Sequence, residues 1–219
     1  TFDRDFHLPA GHALQVGPAT TLQFAGGAAL ITNAPLIFVG TQDEPIILQP
    51  ADGHERWSGV AVIEAAGQSR WEHVIVQRAH PIGRGSRVLA GGITFHKSPV
   101  HLDHVRIESS YSKHALKIFA ADFQMQSVEI VSAQSDMFDG EFVYGTIRDC
   151  DFNRCGRDAI SLTGSDVKIE NCRFGVIGNT CLSAGANSMV RMQNVVAEQA
   201  GIGVAANDLS TVEIETFRL

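Results

Sequence analysis

Apolar and polar positions along the chain repeat an eight-residue pattern, apolar-x-apolar-x-x-apolar-x-apolar. The pattern is clearest in residues 145–152 (Gly-Thr-Ile-Arg-Asp-Cys-Asp-Phe) and returns in residues 167–174 (Val-Lys-Ile-Glu-Asn-Cys-Arg-Phe). Six copies begin at positions 100, 123, 145, 167, 190 and 212, so that successive copies are 23, 22, 22, 23 and 22 residues apart. So regular a period indicates a repeat architecture rather than a single helix or hairpin.

A second short segment with alternating apolar residues lies upstream of each copy. These segments are residues 92–95, 115–118, 137–140, 159–162, 181–184 and 201–204. Alternation with a period of two predicts β-strands, and no helical stretch is present that could form a βαβ crossover. Residues one period apart therefore stack directly, in parallel strands roughly 4.8 Å apart.

This arrangement resembles the right-handed parallel β-helix proteins of the pectate-lyase-like superfamily. Residues 135–145 and 156–160 are similar to β-helix regions of unclassified bacterial surface proteins. The resemblance implies an all-β, right-handed parallel β-helix, a single-stranded solenoid with rungs of about 22 residues and an irregular N-terminal section. We expect one domain over residues 1–219, with N-terminal coils and a cap in 1–58 and regular rungs in 59–219, within a longer polypeptide.

The composition narrows the class of protein without identifying its chemistry. Hydrophobic residues make up 44% and charged residues 19%, which suits a continuous core. A net charge of -7 argues against nucleic-acid binding, and no apolar run is long enough for membrane insertion. The four cysteines have no metal-ligand spacing, so no metal is expected on them. The resemblance implies an extracellular, periplasmic or cell-surface location.

Residues at one pattern position in successive rungs form columns. Two columns are predicted to point inward: Val105, Val128, Cys150, Cys172, Val195 and Phe217, and Ile107, Ile130, Phe152, Phe174, Ala197 and Leu219. A third column is predicted to form a polar ladder at a turn: His104, Ser127, Asp149, Asn171, Asn194 and Thr216. Opposite charges are predicted to face each other outside the core in the pairs Arg106–Glu129 and Asp151–Arg173.

The candidate catalytic residues come from a column in which titratable groups are 22 residues apart. This column contains His114, Asp136 and Asp158, and Lys117 and Asp139 follow three positions after the first two. Crowded acids raise one another's pKa and nearby cations lower it, which is the arrangement of an acid/base site. Two other interpretations stay open, namely structural charge alternation and binding of a cation such as Ca²⁺. No cofactor is otherwise expected.

An insertion in residues 80–87 (His-Pro-Ile-Gly-Arg-Gly-Ser-Arg) supplies candidate substrate-binding residues. Arg84 and Arg87, together with His96 and Lys97 on the next strand and Glu141 beside the acids, are the candidates for contact with an acidic sugar. A plain surface loop is the alternative. Aromatic residues that could stack on sugar rings are few: Trp57, Trp71, Tyr111 and Tyr144.

Two functions are compatible with these residues. The first is a non-catalytic β-helix module of a secreted or cell-surface protein that presents a flat face to a polysaccharide, a cell-surface glycan or a protein partner. The second is a polysaccharide lyase, epimerase or glycoside hydrolase acting on an acidic polysaccharide. Residues 212–219 complete a rung without a capping element, so we expect further chain or another subunit to cover that end.

Overall fold

The computed structural model describes residues 1–84 and 87–219, and this part of the chain contains strands and no helix. It forms a parallel β-solenoid of about 9 turns with rungs of about 23 residues. In chain order the strands are β1 (Phe6–Leu8), β2 (Leu14–Val16), β3 (Thr21–Phe24), β4 (Leu30–Thr32), β5 (Leu36–Val39), β6 (Ile46–Pro50), β7 (Val60–Ile63), β8 (Ser69–Gln77), β9 (Ile82–Arg84), β10 (Arg87–Leu89), β11 (Gly91–His96), β12 (Val100–Ser110), β13 (His114–Phe119), β14 (Asp122–Gln126), β15 (Glu129–Ala133), β16 (Asp136–Glu141), β17 (Tyr144–Arg148), β18 (Asp151–Cys155), β19 (Ile160–Thr163), β20 (Asp166–Glu170), β21 (Arg173–Gly185), β22 (Met189–Gln193), β23 (Val195–Ala206), β24 (Thr211–Ile214) and β25 (Phe217–Arg218).

The strands stack in three parallel faces. The first face contains β1, β4, β7, β11, β13, β16 and β19 and the C-terminal halves of β21 and β23. The second contains β2, β5, the start of β8 and of β12, β14, β17, β20, β22 and β24. The third contains β3, β6, the ends of β8 and β12, β15, β18, the starts of β21 and β23, and β25. The parallel repeat architecture predicted from the period is confirmed.

The N-terminal strands join the same three faces, with longer spacings between rungs. Along the first face, residue 6 lies beside 30, 30 beside 60, and 60 beside 93, which are steps of 24, 30 and 33 residues. From residue 93 onward the partners are 116, 138, 160, 182 and 204, which are steps of 23 and then 22 residues. In the N-terminal section the connections between strands vary in length, while the strands themselves stack in parallel like those of the later rungs.

The inward columns form the core, as predicted. Val105, Val128, Cys150, Cys172 and Val195 are buried, and so are Ile107, Ile130, Phe152, Phe174 and Ala197. The C-terminal members of the two columns differ from the prediction, because Phe217 is only partly buried against the core and Leu219 is 79% exposed. All four cysteines are buried free thiols.

The polar turn column is present, but its side chains bond mainly to one another. His104, Ser127, Asp149, Asn171 and Asn194 all adopt a left-handed backbone, with φ between 51° and 54°. Asn171 Nδ2 donates to Asp149 Oδ1 at 3.0 Å, and Asn194 Nδ2 donates to Asn171 Oδ1 at 3.3 Å. The backbone amide of Asp149 instead donates to Glu170 O on the next rung at 3.0 Å. The side chains of Asp149, Asn171 and Asn194 thus form a polar ladder that links three rungs.

One of the two predicted outer charge pairs forms a direct ion pair. Arg106 contacts Glu129 across neighbouring rungs. Asp151 and Arg173 lie side by side in register, but the ion pair of Arg173 is with Glu198.

The insertion after β8 includes an antiparallel hairpin of β9 and β10. Ile82 and Leu89 of this hairpin belong to a small apolar cluster with Ala61, Ile31 and Ile63 on the outer side of the first face. The hairpin therefore covers the N-terminal part of that face, which a plain loop would not do. Residues 85 and 86 and the side chains of Arg84 and Arg87 lie outside the described part, so the prediction that these arginines bind substrate stays a prediction.

A buried serine column closes the corner between the first and second faces. Ser165 Oγ accepts the amide of Val143 at 3.1 Å and donates to Thr163 O at 2.8 Å. Ser188 Oγ accepts the amide of Ser165 at 3.2 Å. Each hydroxyl thereby pairs a backbone amide of the rung before it, which would otherwise be buried without a partner.

Candidate functional site

A row of alternating charge crosses the outer side of the first face, and we call it the charge row: Asp136, His114, Asp139, Lys117 and Glu141. His114 lies beside Asp136, and Lys117 beside Asp139, on the neighbouring strands β13 and β16. His114 Nδ1 is 3.3 Å from Asp136 Oδ2, and His114 Nε2 is 3.8 Å from Asp139 Oδ2. Lys117 Nζ contacts Asp139 Oδ2 and Glu141 Oε1. Five of the predicted site residues therefore do lie together.

The charge row is largely buried, although the pattern placed these residues outside the core. His114, Asp136 and Asp139 are only 5%, 4% and 5% exposed. Buried ions are tolerated when neighbours of opposite charge and hydrogen bonds compensate for lost hydration. Lys117 supplies that compensation for Asp139 and Glu141, and the His114 imidazole lies between Asp136 and Asp139.

The environment holds Asp136 in its ionised form. Burial is the largest influence on this carboxyl and by itself raises its pKa, but the adjacent His114 and the Asp158 amide act in the opposite direction. With a further contribution from Arg157, they leave the pKa of Asp136 below its ordinary value. Of the two influences expected from the sequence, the lowering by neighbouring basic groups prevails at this carboxyl, which is therefore unsuited to act as a general acid near neutral pH.

Lys117 is likewise held in its charged form. Burial is the largest influence on the ammonium group and lowers its pKa, but hydrogen bonds from Lys117 to Asp139 and Glu141 outweigh burial and leave the pKa raised. A lysine of raised pKa cannot serve as a base near neutral pH. Its role in the row is that of a counter-charge to two carboxylates.

His114 contains the unmatched atom of the charge row. Nδ1 is buried and has no hydrogen-bond partner, so its 3.3 Å contact with Asp136 is close without being aligned as a hydrogen bond. Buried side-chain nitrogens without a partner are uncommon in native structures. Nδ1 is therefore a buried polar atom of the row whose hydrogen-bonding capacity is not used.

Asp158 lies in the same column but does not contact His114. Its Oδ1 accepts the Thr180 amide at 3.0 Å and Asn179 Nδ2 at 2.7 Å on the next rung. Asp136 Oδ1 accepts the Asp158 amide at 3.3 Å in the same way. Both carboxylates thus pair backbone amides of the following rung, and for Asp158 this structural role accounts for its burial.

A shallow groove of about 540 Å³ runs along the corner between the third and first faces. Its lining residues are Ser109, Ser110, Tyr111, Ser132, Ala133, Gln134, Arg154, Cys155, Gly156 and Val176. Hydroxyl, amide and guanidinium groups therefore face solvent beside one exposed aromatic ring. The sequence analysis did not identify this groove.

A column of glycines begins at Gly156 of the groove, where the backbones of successive rungs approach closely. A Cβ on Gly156 would lie 2.2 Å from Gln134 O, and one on Gly178 would lie 2.4 Å from Gly156 O. Gly201 is the next glycine in the column, and a Cβ added there would lie 3.1 Å from Asn179 O. No side chain fits where the rungs approach so closely. The recurrence of glycine at 156, 178 and 201 is the sequence signal of this close approach.

Cations border the groove on both sides. Arg78, Ser109, Ser132 and Arg154 share one turn column, each with a left-handed backbone (φ between 54° and 65°). Arg154 lines the groove itself. On the opposite border the column just before the charge row contains two further cations, Lys113 and Arg157.

These border cations have few acidic partners. Within residues 1–84 and 87–219 no ion pair is formed by Arg78, Lys113 or Arg154. Arg157 Nε is 3.8 Å from Asp136 Oδ1. The corner is therefore cationic on a chain whose net charge is -7.

The aromatic side chains differ from expectation. Trp57 and Trp71 are fully buried, so the prediction that they could stack on sugars is wrong. Tyr111 and Tyr144 are 44% and 60% exposed, as that interpretation requires. The sequence analysis missed Phe142, which is 51% exposed at the corner between the first and second faces.

The remaining predicted binding residues have other partners. His96 stacks flat on Phe119, with ring centroids 4.8 Å apart and an interplanar angle of 2°. Lys97 Nζ lies 3.1 Å from Glu64 Oε1. Both lie at the end of the first face that is farther from the groove, so the structure does not bring them to the groove.

Among residues 1–84 and 87–219, no group of three or more His, Cys, Asp or Glu side chains is arranged to hold a metal ion. Over the same residues, no helix is long and apolar enough to cross a bilayer.

Comparison with known proteins gives structural similarity alone. No protein-family model and no curated protein sequence matches the chain. The A-module of mannuronan C-5 epimerase AlgE4 from Azotobacter vinelandii is similar at 12% identity and a TM-score of 0.29, over 98% of this chain and 89% of that one. An alginate lyase from Paenibacillus sp. str. FPU-7 is similar at 11% identity and a TM-score of 0.29, over 92% and 93%. The catalytic domain of a GH87 alpha-1,3-glucanase gives 9% identity and a TM-score of 0.31, over 98% and 64%.

Identities and TM-scores this low assign no residue of the chain to a reaction. The fold rests on the strand register itself, in which each rung pairs in parallel with the next along three faces. That register is the architecture of a parallel β-helix, as the repeat in the sequence had indicated.

Proposed function

We propose that this chain is a non-catalytic β-helix module of a secreted or cell-surface protein that binds an acidic polysaccharide along the groove. The observation that carries the proposal is the cationic border of the groove on a chain that is acidic as a whole. Arg78 and Arg154 lie on one border and Lys113 and Arg157 on the other, and Tyr111 contributes an aromatic ring between them.

The chemistry of the border suits carboxylate or sulfate groups on a sugar chain. A guanidinium binds a carboxylate through two parallel hydrogen bonds, and Arg154 has no competing ion pair within the described residues. Serine hydroxyls at 109 and 132 lie in the same column as Arg154 and can bond to sugar hydroxyls. The groove crosses successive rungs, so a linear polymer would lie along the solenoid axis.

The charge row supports binding without catalysis. The pKa of Asp136 is lowered and that of Lys117 is raised, so neither group changes protonation near neutral pH. A general acid or base needs a pKa close to the working pH. The row is better explained as a structural element that fixes β13 against β16.

Binding can be tested with sized oligosaccharides from acidic and neutral polysaccharides, using calorimetry at two salt concentrations. We expect acidic oligosaccharides to bind with an affinity that falls as salt rises, because exposed charges are screened over about 10 Å at 0.1 M salt. Arg154→Ala should weaken binding, whereas Lys168→Ala on the second face should not. Equal affinity for neutral and acidic chains, or no effect of Arg154→Ala, would count decisively against the proposal.

A second candidate function, a carbohydrate-active lyase, epimerase or hydrolase, is favoured by one observation. His114 Nδ1 is buried and without a hydrogen-bond partner, and an imidazole is a common general base. The test is to measure unsaturated-uronate absorbance and reducing ends on a panel of acidic and neutral polysaccharides. Turnover that is lost in both His114→Ala and Asp136→Asn would support an enzyme. If no polysaccharide is turned over, the enzyme hypothesis is rejected and the binding hypothesis stands.

A further inference from the structure

An aromatic ridge lies at the corner between the first and second faces, and it is formed by Phe119, Phe142 and Tyr144. The rings of Phe119 and Phe142 meet edge to face, with centroids 5.9 Å apart and an interplanar angle of 86°. The Phe142 ring extends over Gly164 on the next rung, where an added Cβ would lie 2.7 Å from Phe142 Cδ1. Phe142 and Tyr144 are 51% and 60% exposed.

Phe142 occupies a position that does not require an aromatic residue. Its φ is 55°, and the same turn position is taken by Lys97, Ala120, Gly164 and Ala186 on other rungs, with φ between 48° and 58°. A left-handed backbone is unfavourable for a bulky residue, and alanine fills the position twice. An exposed aromatic ring held at a strained position, where small residues suffice, is typical of a binding surface rather than of a folding requirement.

The charges around the ridge are acidic. Tyr144 lies between two aspartates on the neighbouring strands, Asp122 on the rung before it and Asp166 on the rung after it. Asp122 is exposed and forms no ion pair with any described residue. The nearby cations already have acidic partners, because Lys117 contacts Asp139 and Glu141, and Arg191 Nη1 is 3.6 Å from Asp166 Oδ1. The ridge is therefore opposite in charge to the groove across the first face.

We propose that the aromatic ridge binds a basic segment of a partner protein, with arginine or lysine side chains over the rings of Phe142 and Tyr144. A cation over an aromatic face is attracted by the negative potential that the ring quadrupole creates there, and arginine is a more frequent partner than lysine. The free carboxylate of Asp122 supplies the second half of the recognition through charge-assisted hydrogen bonds. An acidic sugar chain would be repelled here, so the ridge and the groove would take different ligands.

The test uses a fluorescein-labelled peptide of alternating arginine and glycine, and its analogue with citrulline in place of arginine. We expect the arginine peptide to bind the wild-type chain and the citrulline peptide to bind much more weakly. Phe142→Ala should lower the affinity about tenfold, the scale of a partly desolvated cation–π contact. Asp122→Asn should lower the affinity and flatten its salt dependence.

Matched controls distinguish peptide binding at the ridge from nonspecific attraction of the peptide to an acidic protein. Leu209→Ala removes another strongly exposed apolar side chain without touching the ridge, and should leave peptide affinity unchanged. Arg154→Ala should leave it unchanged as well, so that failure of this proposal and failure of the proposed function can be told apart. Phe142→Ala is expected to fold, since alanine occupies the same turn at 120 and 186.

The proposal would be overturned if Phe142→Ala bound the arginine peptide as tightly as wild type, because attraction would then come from net charge alone. It would also be overturned if a neutral oligosaccharide bound in a Phe142-dependent manner while the arginine peptide did not. The ridge would in that case be a sugar-stacking surface.

Discussion

Replacing Asp136 by alanine tests the claim that the charge row is a structural element. In the folded protein Asp136 Oδ1 accepts the Asp158 amide at 3.3 Å, and Oδ2 lies 3.3 Å from His114 Nδ1. Arg157 Nε is 3.8 Å from the same carboxylate. The alanine variant removes these interactions together and leaves a buried amide and a buried imidazole without a compensating charge.

The expected decrease in the free energy of unfolding follows from two losses, the acceptor of the Asp158 amide and the carboxylate beside His114. An unpaired buried amide costs about 1–3 kcal/mol, and removing one partner of a buried charge pair costs about 3–5 kcal/mol. The two losses overlap because both are made by one carboxylate, so we expect Asp136→Ala to lower the free energy of unfolding by about 3–5 kcal/mol. Asp136→Asn keeps an acceptor for the Asp158 amide but loses the same charge, so we expect it to be destabilising and less so than Asp136→Ala.

The assay is urea unfolding at pH 7, followed by circular dichroism and by the fluorescence of the buried Trp57 and Trp71. The control is Asp166→Ala, which removes a carboxylate about half exposed at the surface and should cost about 0–1 kcal/mol. If the midpoint of Asp136→Ala coincided with that of Asp166→Ala, the argument that burial makes the charge row matter would be refuted.

The loss of stability in Asp136→Asn should depend on pH. Because the pKa of Asp136 is depressed in the folded state, its ionised form contributes stability above the unfolded value of about 3.9, and that stability is lost as pH falls through the folded pKa. The difference between wild type and Asp136→Asn should therefore be full at pH 7 and shrink below about pH 4. A difference that stayed constant into that acidic range would contradict the assigned direction of the shift.

Two further variants test the rung-to-rung contacts. Ser165→Ala leaves the buried Val143 amide without its acceptor and should lower the free energy of unfolding by about 1–3 kcal/mol, measured by the shift of the urea midpoint. Gly156→Ala brings a Cβ to within 2.2 Å of Gln134 O and should lower the thermal midpoint clearly, whereas Gly17→Ala, with no atom within 4 Å, should leave it nearly unchanged. Equal midpoints for the two glycine variants would remove the close approach as the reason for glycine.

The parallel stack could be predicted from the sequence because its signal is spread over many rungs. Val105, Cys150 and Cys172 occupy one pattern position, and a single register satisfies all of them at once. The same reasoning placed His114 beside Asp136 correctly. Column arithmetic thus fixes which residues are neighbours along the axis.

The spacing of residues in a column does not determine how exposed their side chains are. The candidate site therefore differs from the prediction in solvent exposure. The alternating pattern put Asp139 outside the core, yet its carboxylate is covered by Lys117 and His114 of the rung before it. Trp57 and Trp71 lie in the part with irregular spacing, where no column showed that they point inward. Phe142 was missed because a turn residue belongs to neither strand pattern.

The charge row also restricts how this repeat protein can change its length. Duplicating the rung of residues 136–157 would place a second Asp139 directly beside the first, where Ser161 now lies, in a buried setting and without Lys117 between them. Farther along the same face, Ser161 lies beside Ser183, and an added rung there would meet a neutral neighbour. Gain or loss of whole repeats should therefore be tolerated toward the C-terminal rungs and resisted between β13 and β16, where the order of the rungs is set by their charge.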